Sequence, residues 1–378
     1  MSSPEKLLSA PESNSNPSLP DDLLLSCIAR ISRLYYPTFS LVSKSFQSLL
    51  ASPELCKAGS LLDHTESCLY VCLQFLPFQT PRWFTLCRKP DHNLPYDTRN
   101  KNKKKSSGYV LAKVPSPHPP PVVISSLVAV GSDIYNISGY KSPSSFSIFD
   151  CISHTWREAP SLPIKLRTAS AGVLDGKIYV VGSCKDGNTK SFKNTFVVFD
   201  TTTQVWDHVP SPYSGLKLNF KILCLDEKWH VGTKSDREVV AYNPKEGKWN
   251  PVESEMCSYR VSYGYCEIEN VLYAVYMTQK GTSEFRWYDT EVGQWRKLEI
   301  VLPINLTRVR LVNYGGKMAV LWEEHFNYTE HDEKMIWCAV ITLERGKNGE
   351  ISGKVEWSDH VLTVPIICAL QKVLVATI

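Results

Sequence analysis

The sequence repeats one pair of residues four times: an acidic or amide residue, followed six positions later by tryptophan. The pairs are Asp150 and Trp156, Asp200 and Trp206, Asn243 and Trp249, and Asp289 and Trp295. From each of these tryptophans to the next the steps are 50, 43 and 46 residues. Because tryptophan is rare, four copies at one offset and a nearly constant period predict a repeat architecture with one small structural unit per repeat.

Two short apolar runs joined by a turn precede each pair. In the second copy the runs are Gly172–Leu174 and Ile178–Val181, and Asp175-Gly-Lys177 lies between them. Asp-Gly between runs rich in β-branched residues is a strong hairpin signal, since the turn requires positive φ. A third apolar run ends at each Asp or Asn, and the tryptophan lies in a fourth. Each repeat is therefore predicted to be a four-stranded sheet, as in a propeller blade.

The repeats are assigned to residues 121–165, 166–215, 216–256, 257–303 and 304–358, the last carrying Trp357. We expect the repeated Asp, Asn and Trp residues to serve turn formation and packing. Residues 67–88 have the pattern of an outer hairpin, and residues 365–378 that of an inner hairpin. Joined, they are predicted to form a sixth, composite blade, which closes the ring and removes exposed sheet edges. The propeller as a whole is assigned to residues 64–378.

The N-terminal region has helical rather than strand periodicity. Residues 1–17 are rich in Ser, Pro and Asn and are predicted to form a disordered tail. Residues 18–63 are predicted to hold three short helices, the first starting near Pro20, the second near Pro37 and the third ending at Ser52-Pro53. So small a helical unit cannot bury much apolar surface, and we expect it to need a partner.

Two resemblances follow from these motifs. The repeats resemble the kelch repeat over about residues 121–358, with Ser138-Gly139, Gly182-Ser183 and Gly232-Thr233 where a glycine pair is expected. The order Leu19-Pro20, Leu23-Leu24, Ser40-Leu-Val-Ser-Lys-Ser-Phe46 resembles the F-box. Together they are similar to the plant family of F-box/kelch-repeat proteins. The resemblance implies a mainly β protein: a six-bladed kelch-type β-propeller with a small N-terminal all-α F-box domain.

The family resemblance also implies a function and a binding site. The F-box would bind a Skp-type adaptor and through it a cullin, and the propeller would hold an unknown target protein for ubiquitination. Eight positions match the adaptor-binding residues of the family: Leu19, Pro20, Leu23, Leu24, Ile28, Leu41, Val42 and Phe46. The expected role is the non-catalytic substrate receptor of an SCF-type ubiquitin ligase. The alternatives are a non-degradative kelch scaffold and, third, a metal-dependent kelch enzyme.

The motifs and the composition argue against catalysis, and against nucleic acid or a membrane as a partner. His154, His208 and His230 stand singly, without ligand-like spacing, and we expect no cofactor or metal. The net charge of +4 is too small to indicate nucleic acid, and no apolar run is long enough to span a membrane. Twelve cysteines without a CxxC pair predict reduced thiols in the nucleus or cytoplasm.

Two charged segments lie outside the repeat pattern. A basic run between 99 and 105 is expected to be a solvated loop, with a nuclear-import or acidic-partner patch as the alternative. The acidic insertion at 323–334 includes His325 and His331, and a solvated loop is favoured there over a metal site.

Overall fold

The structure is a computed structural model of the 378-residue chain. The residues it describes are 20–62, 65–75, 81–89, 107–116, 119–138, 145–166, 168–185, 192–212, 218–233, 239–252, 255–256, 258, 262–280, 282–302, 306–325 and 333–378. The predicted tail, the basic run at 99–105, Leu19 and His331 lie outside them.

Six four-stranded antiparallel sheets form a six-bladed propeller, as predicted. The first repeat blade contains β4 (Leu127–Val130), β5 (Asp133–Ser138), β6 (Ser145–Asp150) and β7 (Thr155–Glu158). The second contains β8 (Thr168–Leu174), β9 (Lys177–Lys185), β10 (Phe192–Asp200) and β11 (Val205–His208). The third contains β12 (Leu218–Leu225), β13 (Lys228–Thr233), β14 (Val239–Asn243) and β15 (Lys248–Val252).

The fourth repeat blade contains β16 (Gly264–Ile268), β17 (Val271–Met277), β18 (Ser283–Asp289) and β19 (Gln294–Lys297). The fifth contains β20 (Thr307–Tyr314), β21 (Lys317–His325), β22 (Glu333–Arg345) and β23 (Ile351–Pro365). The sixth, here called the closing blade, contains β1 (Ser67–Phe75), β2 (Arg82–Arg88), β3 (Tyr109–Lys113) and β24 (Cys368–Thr377). Apolar side chains of neighbouring blades pack together between the sheets and form the core.

The inner hairpins turn where the sequence predicts. In the second blade both Asp175 and Gly176 have positive φ, at 50° and 69°, the combination that a type I′ turn requires. The corresponding pairs in the next three blades also have positive φ: Asp226 and Glu227, Glu269 and Asn270, Gly315 and Gly316. These turns twist with the strands and so keep each hairpin in register.

The closing blade combines strands from the two ends of the propeller region, but the number of strands from each end differs from the prediction. Only β24 comes from the C-terminal side, and it pairs with β1 from Ser67↔Thr377 to Phe75↔Cys368. The predicted inner hairpin at 365–378 is therefore wrong, because β23 continues to Pro365 and the turn lies at Ile366-Ile367. The strand Tyr109–Lys113, which the sequence analysis missed, completes the blade.

In the fifth blade, strands extend into the acidic insertion. β21 continues to His325 and β22 starts at Glu333, so both ends of the predicted 323–334 loop are paired strand. Glu323 is completely buried and accepts a hydrogen bond from Lys334 Nζ at 2.7 Å. A solvated loop is therefore wrong for these residues, which form a buried ion pair.

The helical unit precedes the first strand. It consists of α1 (Asp21–Ile28), a 3-10 turn (Arg33–Tyr35), α2 (Tyr36–Phe39), α3 (Lys44–Leu50) and α4 (Pro53–Leu61). The third helix ends before Ser52-Pro53 as expected, but Pro53 then begins another helix, which the sequence analysis missed. Pro is well suited to the first turn of a helix because its fixed φ is already helical. The small core of the unit is Ile28, Ala29, Leu50 and Leu55.

The two faces of the ring differ. The innermost strands β4, β8, β12, β16, β20 and β24 line the ring axis and contact one another around it. They run towards the helical unit: Gly315, just after β20, and Ile378, just after β24, both line a cavity against it. We call this side the helical face. The opposite side, where Thr307 and Cys368 begin β20 and β24, is the open face.

Candidate functional site

The residues that resemble adaptor-binding positions fall into two groups. The side chains of Leu23, Leu41 and Val42 are 55 %, 82 % and 64 % exposed, and Pro20 is also exposed as the N-cap of α1. Exposed apolar residues at this density on a small unit are typical of an interaction surface.

The other described members of that set hold the helical unit together. Ile28 is buried, and Leu24 and Phe46 pack against the same core. The ring of Phe46 stacks on that of Phe39 at a centroid distance of 6.4 Å. Substitution of Ile28, Leu24 or Phe46 would therefore test folding rather than binding. Leu61 and Leu62, at the end of α4, are exposed apolar residues that the resemblance does not include.

Glu66 attaches the helical unit to the closing blade. Its carboxylate accepts hydrogen bonds from the backbone N–H of Arg33 at 2.7 Å and from Ser32 Oγ at 3.3 Å. Its backbone N–H donates to Ile378 O at 2.8 Å, and Ile378 N–H donates to Glu66 O at 2.9 Å. Arg88 of β2 adds a hydrogen bond to the Tyr35 hydroxyl. One residue thus joins the 3-10 turn and the closing strand.

A cavity of about 920 Å³ lies between the helical unit and the propeller. Its lining includes Tyr36, Glu66, Tyr70, His154, Tyr314 and Trp357. The Tyr70 hydroxyl donates to Cys151 O at 2.8 Å and lies 3.3 Å from His154 Nε2. Burial lowers the pKa of His154, so this ring is kept neutral beside the tyrosine.

The repeated tryptophans contact the preceding blade. The indole N–H of Trp206 donates to Pro160 O at 2.9 Å, that of Trp249 to Pro210 O at 2.7 Å, and that of Trp295 to Glu255 O at 2.8 Å. Trp156 donates to Ser116 Oγ. Trp357 instead stacks on Tyr109 of the closing blade, at a centroid distance of 4.2 Å. These residues link blades, as packing residues do.

The repeated acidic and amide residues form turns. Asp150 Oδ1 accepts from the backbone N–H groups of Ile152 and Ser153, and Asp200 Oδ1 accepts from those of Thr202 and Thr203. Asn243 and Asp289 make the same contact with the second residue after them. A short acceptor that binds the backbone two residues later is an Asx turn. These turns position the tryptophan that follows.

The residues named for metal or catalytic roles are dispersed. His154 lines the cavity between the helical unit and the propeller, His208 is exposed on β11, and His230 is buried in β13. Within the described ranges no three His, Cys, Asp or Glu residues converge as a metal site would require.

The open face carries exposed apolar side chains. Five large ones lie in turns or strand ends on this side: Tyr263, Met277, Val301, Ile366 and Ile367. They are far along the chain from the helical unit and belong to three successive blades. The repeat pattern does not predict them, because none of them is one of the repeated Asp, Asn or Trp residues.

Comparisons with known proteins agree with this architecture. The FKB95 kelch-repeats domain matches residues 83–362, and the F-box domain matches residues 17–58. The chain belongs to the F-box/kelch-repeat family. A putative F-box/kelch-repeat protein of Arabidopsis thaliana is 64% identical over 382 residues, covering 100% of both chains. Another from Arabidopsis thaliana is 57% identical over 377 residues, covering 96% of this chain and 100% of that protein.

Among solved structures, that of YjhT has 13% sequence identity and a TM-score of 0.43, covering 72% of this chain and 91% of that one. F-box/kelch-repeat proteins are generally SCF substrate adaptors and are typically non-catalytic, and an F-box implies binding to a Skp1-type adaptor. No helix in the described part of the chain is long and apolar enough to cross a membrane.

Proposed function

We propose that this F-box/kelch-repeat protein is the substrate-recognition subunit of an SCF-type ubiquitin ligase in the nucleus or cytoplasm. The F-box region, assigned to residues 18–63, binds a Skp-type adaptor, which links the chain to a cullin. The propeller, assigned to residues 64–378, binds the target protein. The chain performs no covalent chemistry; it raises the local concentration of the target beside the catalytic subunits of the ligase.

One observation carries the proposal: Leu23, Leu41 and Val42 are exposed on a helical unit that is fastened to one face of the propeller. Apolar side chains that the isolated chain leaves in contact with water stabilise a complex when a partner covers them. The attachment leaves the open face accessible to a second protein, so adaptor and target have separate surfaces.

Pull-down of a purified Skp-type adaptor tests the adaptor surface. The double variant Leu41→Ala/Val42→Ala should weaken adaptor binding by about 2 kcal/mol, roughly thirtyfold, because both side chains are interface anchors. Val205→Ala/Val292→Ala is the matched control, since Val205 at the start of β11 and Val292 in the turn before β19 are similarly exposed. Equal adaptor binding by wild type and the Leu41/Val42 variant, both folded, would refute the assignment of this surface.

The same complex distinguishes a ligase receptor from a scaffold. The adaptor-bound chain should recruit a cullin into one complex on a sizing column. Adaptor binding without cullin recruitment would favour the non-degradative scaffold.

A further inference from the structure

Charged residues are unevenly distributed along the innermost strands of the propeller. The six strands carry four cations, Lys221, Arg308, Arg310 and Lys372, and one anion, Glu267. Every cation lies in the half of its strand nearer the open face, whereas Glu267 is one residue from the end of β16 at the helical face. The innermost strands, which are all among the described residues, therefore concentrate positive charge at the open-face mouth of the central channel.

Arg310 is held rigidly at this mouth. Its Nε donates to Gln371 O at 3.0 Å, its Nη2 to Leu370 O at 3.3 Å, and its Nη1 to Val309 O at 2.9 Å. These acceptors are neutral, so none of the three hydrogen bonds cancels the positive charge. Since a guanidinium has five N–H groups, two stay without a partner among the described residues. Burial first, and Arg308 second, lower the pKa of Arg310, as a concentration of positive charge requires.

Lys372 follows Gln371 directly and adds a second charge. It is partly buried, and no carboxylate of the described residues lies within ion-pair distance of its ammonium group. Burial, and next the charge of Arg310, lower its pKa to about 8. The nearby buried carboxylate, Glu323, is already engaged by Lys334, by Arg308 at 3.5 Å and by the backbone N–H of Leu370. A carboxylate supplied from outside would relieve the repulsion between Lys372 and Arg310.

Exposed apolar side chains also lie on the open face. Ile366 and Ile367 form the turn that leads into β24, Tyr263 precedes β16, and Met277 ends β17; all four are exposed. A ligand that places negative charge in the mouth would thus rest on apolar side chains around it. A site for a small free anion would need the positive charges but not the exposed apolar side chains on the same face.

We propose that the open face binds an acidic segment of a target protein, whose carboxylates enter the channel mouth towards Lys372 and Arg310 while its apolar side chains contact the surrounding isoleucines. The inference rests on the proposed function, because it names the class of target that the propeller holds. Lys221, whose Nζ lies 3.4 Å from Ser262 O, extends the cationic wall into the third blade. Oppositely charged surfaces speed association and disfavour basic partners.

Fluorescence anisotropy on the full chain tests this proposal. The probes are a fluorescein-labelled peptide of ten glutamates, the same length of lysine, and the same length of phosphoserine. The test variant is Lys221→Gln/Lys372→Gln, and the matched control is Lys177→Gln/Lys228→Gln, which removes two cations at the first residues of β9 and β13, on the helical face. We expect the test variant to weaken glutamate-peptide binding by about tenfold or more and the control by less than about twofold.

Three results would overturn the proposal: no binding of the glutamate peptide by wild type, equal weakening in the two double variants, or binding of the phosphoserine peptide alone. If the double variant does not fold, Lys372→Gln alone replaces it. Adaptor pull-down on the same proteins separates the two hypotheses. Adaptor binding without peptide binding refutes the acidic-target proposal only, and peptide binding without adaptor binding refutes the ligase role only.

Discussion

His230 is a buried imidazole in β13 with neither ring nitrogen hydrogen-bonded in the described part of the chain. Burial, with a smaller contribution from Lys228, lowers its pKa to about 4. Its usual pKa is near 6.5, so the unfolded chain binds a proton at a higher pH than the folded chain does. The folded state is therefore destabilised as the pH falls from about 6.5 towards 4.

The pH dependence of unfolding measures this effect. Between pH 7 and pH 4 His230 should contribute a loss of about 3 kcal/mol of unfolding free energy, at 1.36 kcal/mol per pKa unit. His230→Leu should remove that part of the slope, whereas His208→Gln, at an exposed position, should leave the slope unchanged. Parallel pH profiles for wild type and His230→Leu would show that the ring is not desolvated.

Residue patterns in the sequence predicted the contacts of individual residues better than they predicted which residues are buried. The offset of six residues predicted turn-forming Asp and packing Trp, and these residues make Asx turns and contacts between blades. Yet the most buried tryptophans are Trp83, Trp229, Trp287 and Trp322, and none of them belongs to a repeated pair. They lack the Asp or Asn six positions earlier that marks the repeated tryptophans, so the repeat pattern does not single them out. Burial depends on the neighbouring blade, which is distant in sequence.

At the scale of elements, β24 is the part on which ring closure depends. Besides its pairing with β1, its Leu370 N–H donates to the buried Glu323 Oε1 at 2.6 Å. Glu323 Oε2 accepts from Lys334 Nζ, so one carboxylate joins β21, β22 and β24. The buried ion pair thus stabilises the contact between the fifth blade and the closing blade.

Glu323→Gln should lower the free energy of unfolding by about 3 kcal/mol, because Lys334 would keep a buried charge without a carboxylate. The double variant Glu323→Gln/Lys334→Met should recover more than half of this loss, since it removes the unpaired charge. Urea denaturation gives both values, with Glu284→Gln, from the partly exposed Arg286 pair, as a control near zero. Equal losses in the single and double variants would argue against an effective ion pair.

The strands whose positions were predicted wrongly can each be explained by their local sequence. Gln371-Lys372 lies in the middle of β24, although it occupies the place that Gly176-Lys177 has in the second copy. Neither residue favours positive φ, whereas Pro365, which ends β23, marked the true boundary. Tyr109–Lys113 has strand composition but stands in a Pro-rich, polar stretch that predicted a loop. The blade count was nevertheless predicted correctly, because the repeats give five blades and the strand patterns at 67–88 and 365–378 indicate a sixth.

At the scale of the whole molecule, the helical unit and the propeller meet through Glu66. Its side chain holds the 3-10 turn of the helical unit, and its backbone pairs with Ile378 beyond the closing strand. The position of the helical unit relative to the open face therefore depends on a joint next to the closing blade. Rigid placement matters for a receptor, since the effective concentration of a bound target depends on geometry.

Glu66→Ala should loosen this joint without unfolding the ring. The variant loses the carboxylate that accepts from the Arg33 N–H, so hydrogen exchange in the 3-10 turn should accelerate by about tenfold or more. Glu356→Ala, across the same cavity on the propeller, is the control. Exchange should be followed by mass spectrometry on fragments spanning residues 30–36. Unchanged protection there would mean that other contacts suffice to hold the unit.

The closing blade also determines when the protein can become complete during synthesis. Its first strand begins at Ser67 and its innermost strand at Cys368, about 300 residues later. At about 5–20 residues per second, β1 waits roughly 15–60 s on the ribosome for its partner. Throughout that time the nascent chain exposes an unpaired apolar edge, while the helices of the N-terminal unit have already been synthesised. Such an edge can pair with another chain until β24 covers it, so the protein is most exposed to aggregation during its own synthesis.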